Sequence, residues 1–246
     1  MLRFTPKIPL KYDAMAVGEV HVWKLDLDVL FSKSDMSKVS IKECKKINRL
    51  HDSKHQVRAL AMKVQLRELL SRYLSIKPSE IEFGLAEFGK PYLKNSPLSF
   101  NVSHSGDRAL VAISLCEKMG VDIENWRVID NLQGLVERNF SVEEKNQWLD
   151  IDDNKRMPIF FDIWVCKEAF IKATGRGLGM GVTNCAFDLL KPNKLLNCPP
   201  EYGPSSDWVC VYLPVWEKAS AALIMNTTKY SVNIYEFKTK FPHRVE

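Results

Sequence analysis

The chain has 246 residues, 46% of them hydrophobic, enough for one large folded unit or two modest ones with a proper core. Its 35 lysines and arginines against 30 acids leave a net charge of +5, too mild for bulk nucleic-acid binding but suited to anionic ligands or acidic partners. Six scattered cysteines form no CxxC pair, no run of about 18 apolar residues occurs, and Lys7, Lys11, Asp13 and Glu19 break up the N-terminus; the expectation is a cytoplasmic protein with reduced thiols, neither secreted nor membrane-spanning.

In chain order, residues 1–16 read as a loose leader. Residues 19–28 alternate, with His21, Trp23, Leu25 and Leu27 on one side of a strand and Lys24, Asp26 and Asp28 mostly on the other. A lysine-rich helix is expected over 34–50 and a second over 53–74, where Val57, Leu60, Ala61 and Val64 recur at helical spacing. Strands follow at 81–88, 98–102 and 109–115, joined by a loop at Gly89-Lys90-Pro91-Tyr92 and a turn at Ser105-Gly106-Asp107. The second half opens with an acidic strand around Gly120-Val121-Asp122-Ile123-Glu124. Helices are expected at 132–138, from Ser141 as N-cap with Glu144 three residues on, and around Trp164, ending at Gly175. Strands at 185–189, 209–213, 219–225 and 231–237 complete it, with residues 191–206, which hold four prolines, as a surface loop.

The acidic strand carries the chemistry. Alternation puts Asp122 and Glu124 on one face and buries Val121 and Ile123 on the other. In the Trp164 helix, Trp164, Glu168 and Lys172 stand at i, i+4 and i+8 along one ridge, while Ile163, Cys166, Phe170 and Ala173 form a stripe toward the core. If strand and helix meet, three carboxylates converge and require a cation, and hard oxygen donors favour magnesium or manganese over zinc. Each part alone has a plainer reading: a solvated strand face for Asp122 and Glu124, and an i, i+4 ion pair for Glu168 and Lys172. Asn101-Val102-Ser103-His104-Ser105 offers polar ligand contacts or a hydrogen-bonded turn. A serine hydrolase is excluded, because adjacent Ser103 and His104 on a strand point oppositely. Lys42, Lys45 and Arg58 form either a basic cluster, joined by Lys90, or a solvated face. Gly175-Arg176-Gly177 reads as a helix C-cap, since it follows a helix and lacks the phosphate-loop lysine.

Taken together, Gly89-Lys90-Pro91, Asn101-Val102-Ser103-His104-Ser105, Gly120-Val121-Asp122-Ile123-Glu124, Arg138-x-Phe140-Ser141 and Trp164-x-x-Lys167-Glu168-Ala169-Phe170-x-Lys172-x-x-Gly175-x-Gly177-Leu178 resemble the 4′-phosphopantetheinyl transferases of the Sfp type, in their Trp-x-x-Lys-Glu-Ala branch. The resemblance implies a mixed α+β monomer of two similar subdomains, 1–118 on the coenzyme A nucleotide side and 119–246 with the metal and catalytic helix. Each would be a small, mostly antiparallel sheet with a long helix, related by a pseudo-twofold. It implies transfer of the phosphopantetheine arm of coenzyme A to a serine of an apo acyl or peptidyl carrier protein, releasing adenosine 3′,5′-bisphosphate, with no nucleic acid or membrane as partner. Residue by residue, Asp122, Glu124 and Glu168 would bind magnesium, with manganese as second candidate, and Lys172 would hold the pyrophosphate beside Glu168, the candidate base. Lys42, Lys45, Arg58 and His104 would surround the 3′-phosphate, and Lys90 and Ser103 would lie by the adenine nucleotide. The competing readings are a magnesium-dependent phosphohydrolase and a non-catalytic coenzyme A-binding module.

Overall fold

The computed structural model describes residues 2–4, 15–29, 31 and 33–238. Strand β1 (Leu2–Phe4) precedes β2 (Glu19–Asp26), so a short strand stands where the leader is expected; residues 5–14 lie outside the described residues. The expected 34–50 helix is two pieces, α1 (Lys33–Met36) and α2 (Ile41–Ile47). Ser40 divides them: its hydroxyl accepts Glu43 N–H and the Glu43 carboxylate accepts Ser40 N–H, a reciprocal box that starts a new helix. Helix α3 (Ser53–Leu74) matches its expected bounds, with Asp52 as N-cap.

A small hairpin, β3 (Phe83–Leu85) and β4 (Pro91–Leu93), replaces the longer strand expected at 81–88. Then come β5 (Ser99–Ser105), β6 (Arg108–Ser114) and the acidic β7 (Met119–Asn125). Helices α4 (Leu132–Asn139), α5 (Val142–Trp148) and α6 (Asp153–Thr174) follow, the last closed by Gly175 in the left-handed region at φ 72°. Of the proline-rich segment read as loop, β9 (Lys191–Asn197) pairs with β8 (Ala186–Asp188), because Leu195 is buried and fixes the segment to the core. Strands β10 (Val209–Tyr212), β11 (Ala219–Met225) and β12 (Ser231–Glu236) end the described chain.

The main sheets have the orders β1-β12-β2-β6-β5 and β10-β11-β7. Their facing sides form one core, in which Val20, Val22, Leu110, Ala112, Val232 and Ile234 of the first meet Val121, Ile123, Ala221 and Leu223 of the second. Helix α3 covers the outer face of the first sheet, packing Leu66, Leu69, Leu70 and Tyr73 on Trp23, Leu25, Val111 and Phe100. Helix α6 covers the outer face of the second, its Cys166, Phe170 and Ala173 buried with Ala222 and Ile224. The molecule is thus four layers, helix, sheet, sheet, helix. Strand β2 is buried on both faces; the side expected to be polar holds Val20 and Val22, because a second sheet lies against it.

Candidate functional site

Strand β7 and helix α6 approach closely because Gly120 lacks a side chain. A Cβ there would stand 2.1 Å from the Ala169 carbonyl oxygen and 2.5 Å from Ala173 N. Two residues on, the same face of β7 carries Asp122 and then Glu124. The Lys172 ammonium donates to Asp122 Oδ1 at 2.6 Å, to Ser103 Oγ at 2.9 Å and to the Val121 carbonyl at 3.3 Å. Lys172 therefore pairs across to the strand instead of along the helix to Glu168. Burial pushes the Asp122 carboxyl up, against the pull of Lys172 and Ser103. Glu168 is also pushed up, first by burial and then by the negative charge of Asp122, while Lys172 pulls the other way.

Glu168 and Lys172 line a cavity of about 290 Å³ with Phe88, Lys90, Asn101 and Gly175. Lys90 reaches its edge from the β3–β4 turn and donates to the Met119 carbonyl at 2.9 Å and the Ala173 carbonyl at 3.4 Å, at the end of α6. Burial lowers its pKa to about 8, against the pull of Cys116 and Glu117. His104 is held below its ordinary range by loss of solvent around the ring and then by the Lys172 charge, against Asp122 and Glu124.

The carboxylates supply hard oxygen donors, and Asp122 Oδ2 is buried without a hydrogen-bond partner. An orphaned carboxylate oxygen is costly unless something binds it, so the donor set fits a divalent cation. Among the described residues, no three acids, histidines or cysteines stand together as a ready-formed cluster, and the cation against Asp122 is Lys172.

Glu168, Lys172 and Lys90 thus line the cleft, Asp122 and Ser103 are buried behind it on the Lys172 ammonium, and Glu124 and His104 are coupled to the group through charge. No hydrogen bond or ion pair joins Lys42, Lys45 or Arg58 to that group. Lys42 and Lys45 are exposed on α2, and Arg58 forms a two-pronged pair with Asp28 at 2.7 and 2.9 Å. Ser103 lies beneath Asp122, donating to its Oδ1 at 2.6 Å. Asn101 and Ser105, named in the sequence only as part of the polar segment 101–105, share the face of β5 that carries Ser103, and the period-2 spacing of three polar residues in a strand is the signal that groups them. Lys167 turns away from the cleft and is fully buried, pairing with equally buried Glu144 at 2.7 Å and donating to the Val182 and Cys185 carbonyls.

A family model described as the 4′-phosphopantetheinyl transferase superfamily matches residues 118–210, and one described as 4′-phosphopantetheinyl transferase, N-terminal, matches residues 31–116. The chain is 34% identical over 188 residues to the 4′-phosphopantetheinyl transferase HetI of Nostoc sp., covering 74% of this chain and 79% of that protein. It is 30% identical over 171 residues to the 4′-phosphopantetheinyl transferase Sfp of Bacillus subtilis, covering 69% and 75%. The superfamily model spans β7 and α6, and the identity to HetI covers 74% of this chain; on that ground the chain belongs to the 4′-phosphopantetheinyl transferase superfamily, with the Sfp-type enzymes.

Proposed function

We propose that the chain transfers the 4′-phosphopantetheine arm of coenzyme A to a serine hydroxyl of an apo acyl or peptidyl carrier protein, releasing adenosine 3′,5′-bisphosphate. The observation that carries this reading is the wall of Asp122, Glu124, Glu168 and Lys172 where β7 meets α6, in a chain of this superfamily. Displacement at a phosphodiester needs charge neutralisation and alignment more than covalent help. Lys172 supplies a fixed ammonium for the pyrophosphate. Asp122, Glu124 and Glu168 are the residues that would hold magnesium, or manganese in its place, which when bound neutralises phosphate charge. Glu168, whose proton affinity is raised by burial and by Asp122, takes the proton from the attacking serine.

Lys90 and His104 flank the nucleotide in this reading, and Ser103 acts through Asp122 instead of touching adenine. Lys42 and Lys45 are placed near the 3′-phosphate, and Arg58 joins them only by leaving Asp28. The chain works as a monomer whose halves divide near residue 118, with β12 returned to the first half. Hydrolysis of coenzyme A by the same acids is the less favoured reading, since the relatives carry transferase names. The deciding experiment is incubation with coenzyme A, magnesium and a panel of apo carriers, read by intact-protein mass spectrometry. The expected result is a carrier heavier by one phosphopantetheine arm; phosphopantetheine released free, with the carrier unmodified, would replace transfer by hydrolysis.

A further inference from the structure

Strands β5 and β7 are the facing edges of the two main sheets and run side by side without pairing to each other through their main chains. Side chains bridge them instead. Asn101 Oδ1 accepts Val121 N–H at 2.9 Å, Ser103 Oγ accepts Ile123 N–H at 3.4 Å, and Ser105 Oγ accepts Asn125 N–H at 3.0 Å. Both residue numbers advance by two at each step, so alternate side chains of one strand meet alternate N–H groups of a parallel neighbour. The hydroxyls then donate their own protons to acids on the same strand: Ser103 to Asp122 Oδ1 at 2.6 Å, and Ser105 to Glu124 Oε2 at 3.0 Å.

We propose that Asn101, Ser103 and Ser105 form a side-chain ladder in place of a main-chain one, and that its third rung, Ser105, is a positioning residue for Glu124. The role given to Glu124 rests on the functional reading above; the ladder is geometry. A serine hydroxyl has a single proton, and with its oxygen accepting the Asn125 N–H that proton turns to the Glu124 carboxylate, the acceptor it meets at 3.0 Å. The rung is closed from the other side by Asn125 Nδ2, which donates to the Ser105 carbonyl at 2.9 Å. Gly106 makes room for that amide, since a Cβ there would come within 2.9 Å of it. The other partner of Glu124 is Arg127 at 2.9 Å, whose side chain is 61% exposed, and exposed pairs of this kind hold geometry weakly and are screened by salt. Ser105 is therefore the fixed donor that sets where Glu124 stands relative to Asp122.

The test compares wild type with Ser105→Ala, Ser105→Thr and, as a control at the start of β5, Ser99→Ala. Three quantities are read: arm transfer to an apo carrier, Mn²⁺ affinity of the protein–coenzyme A mixture without carrier by electron paramagnetic resonance, and melting temperature. Loss of a group that orients a metal ligand predicts for Ser105→Ala a roughly tenfold fall in kcat and a roughly tenfold weaker Mn²⁺ affinity, with KM for coenzyme A nearly unchanged. Ser105→Thr restores both, and Ser99→Ala moves neither. Unchanged turnover and Mn²⁺ affinity in Ser105→Ala, a loss that threonine does not restore, or an alanine variant that no longer melts cooperatively would each reduce Ser105 to a structural role. A wild-type chain that transfers no arm would overturn the functional reading alone, because the Mn²⁺ titration and its threonine rescue still report on the ladder.

Discussion

Glu168 carries the sharpest test at the scale of single residues. Its carboxyl faces the cavity and is pushed up by burial and by Asp122. Glu168→Gln keeps the size of the side chain and removes both the charge and the proton acceptor, so turnover should fall by roughly a hundredfold or more while coenzyme A affinity changes far less. Measuring the two side by side decides the matter, and near-normal turnover would remove Glu168 from the chemistry. Lys90 makes a second prediction. With a pKa of about 8 in the free protein, it is largely neutral at pH 9. Coenzyme A phosphates favour its ammonium form and raise that pKa on binding, so coenzyme A should bind with proton uptake above pH 8 and lose affinity as pH rises further. His104, held below its ordinary range, is neutral there in the free protein. Calorimetry at pH 8.5 in two buffers of different ionisation enthalpy measures the proton count, and a value of zero would place Lys90 away from the phosphates.

Between elements, the contact that matters is β7 against α6. Gly120→Ala puts a methyl group into the backbone of α6 at Ala169 and Ala173, so helix and strand must separate. Overpacking of this kind costs about 1–3 kcal/mol, and the displacement moves Glu168 and Lys172 from Asp122. A lowered melting temperature together with lost turnover is expected, and a stable, fully active Gly120→Ala would show that the two elements need not touch. Lys167→Met should give the opposite pattern to Glu168→Gln. It leaves Glu144 buried without its cation, although that carboxylate still accepts Phe187 N–H and Ser141 N–H. Breaking a buried pair from one side costs about 3–5 kcal/mol. Urea unfolding should show that loss, while turnover per folded molecule stays within a few-fold of wild type because Lys167 faces away from the cleft.

For the whole molecule, the decisive feature is the return of the chain at β12. This strand lies between β1 and β2, parallel to both, so residues 231–236 complete a sheet whose other described members all come from the first half. Val232 and Ile234 fill the core between the sheets, and Tyr235 stacks on Trp23 with ring centroids 4.7 Å apart. A fragment of residues 1–118 lacks that strand and exposes the β2 edge. It should fail to show cooperative unfolding by circular dichroism, whereas a fragment that melts cooperatively on its own would establish the first half as an independent unit.

The carboxylates of Asp122 and Glu124 and the ridge of Trp164, Glu168 and Lys172 were legible in the sequence, because periods of 2 and 3.6 fix which side chains share a face before any packing occurs. Helix α3 and the Gly175 cap were legible for the same reason: caps, spacing and backbone preference are local. The break at Ser40, the strand at 191–197 and the double burial of β2 were not, since each depends on what lies opposite. The preference of Lys172 for Asp122 over Glu168, the burial of Lys167 one position before Glu168, and the side-chain ladder on Asn101, Ser103 and Ser105 likewise belong to the tertiary structure. Sequence determines the direction a side chain leaves its strand or helix; only the meeting of β5, β7 and α6 determines which donor waits at the end of that direction, because hydrogen bonds and ion pairs act over a few ångströms between residues far apart in the chain.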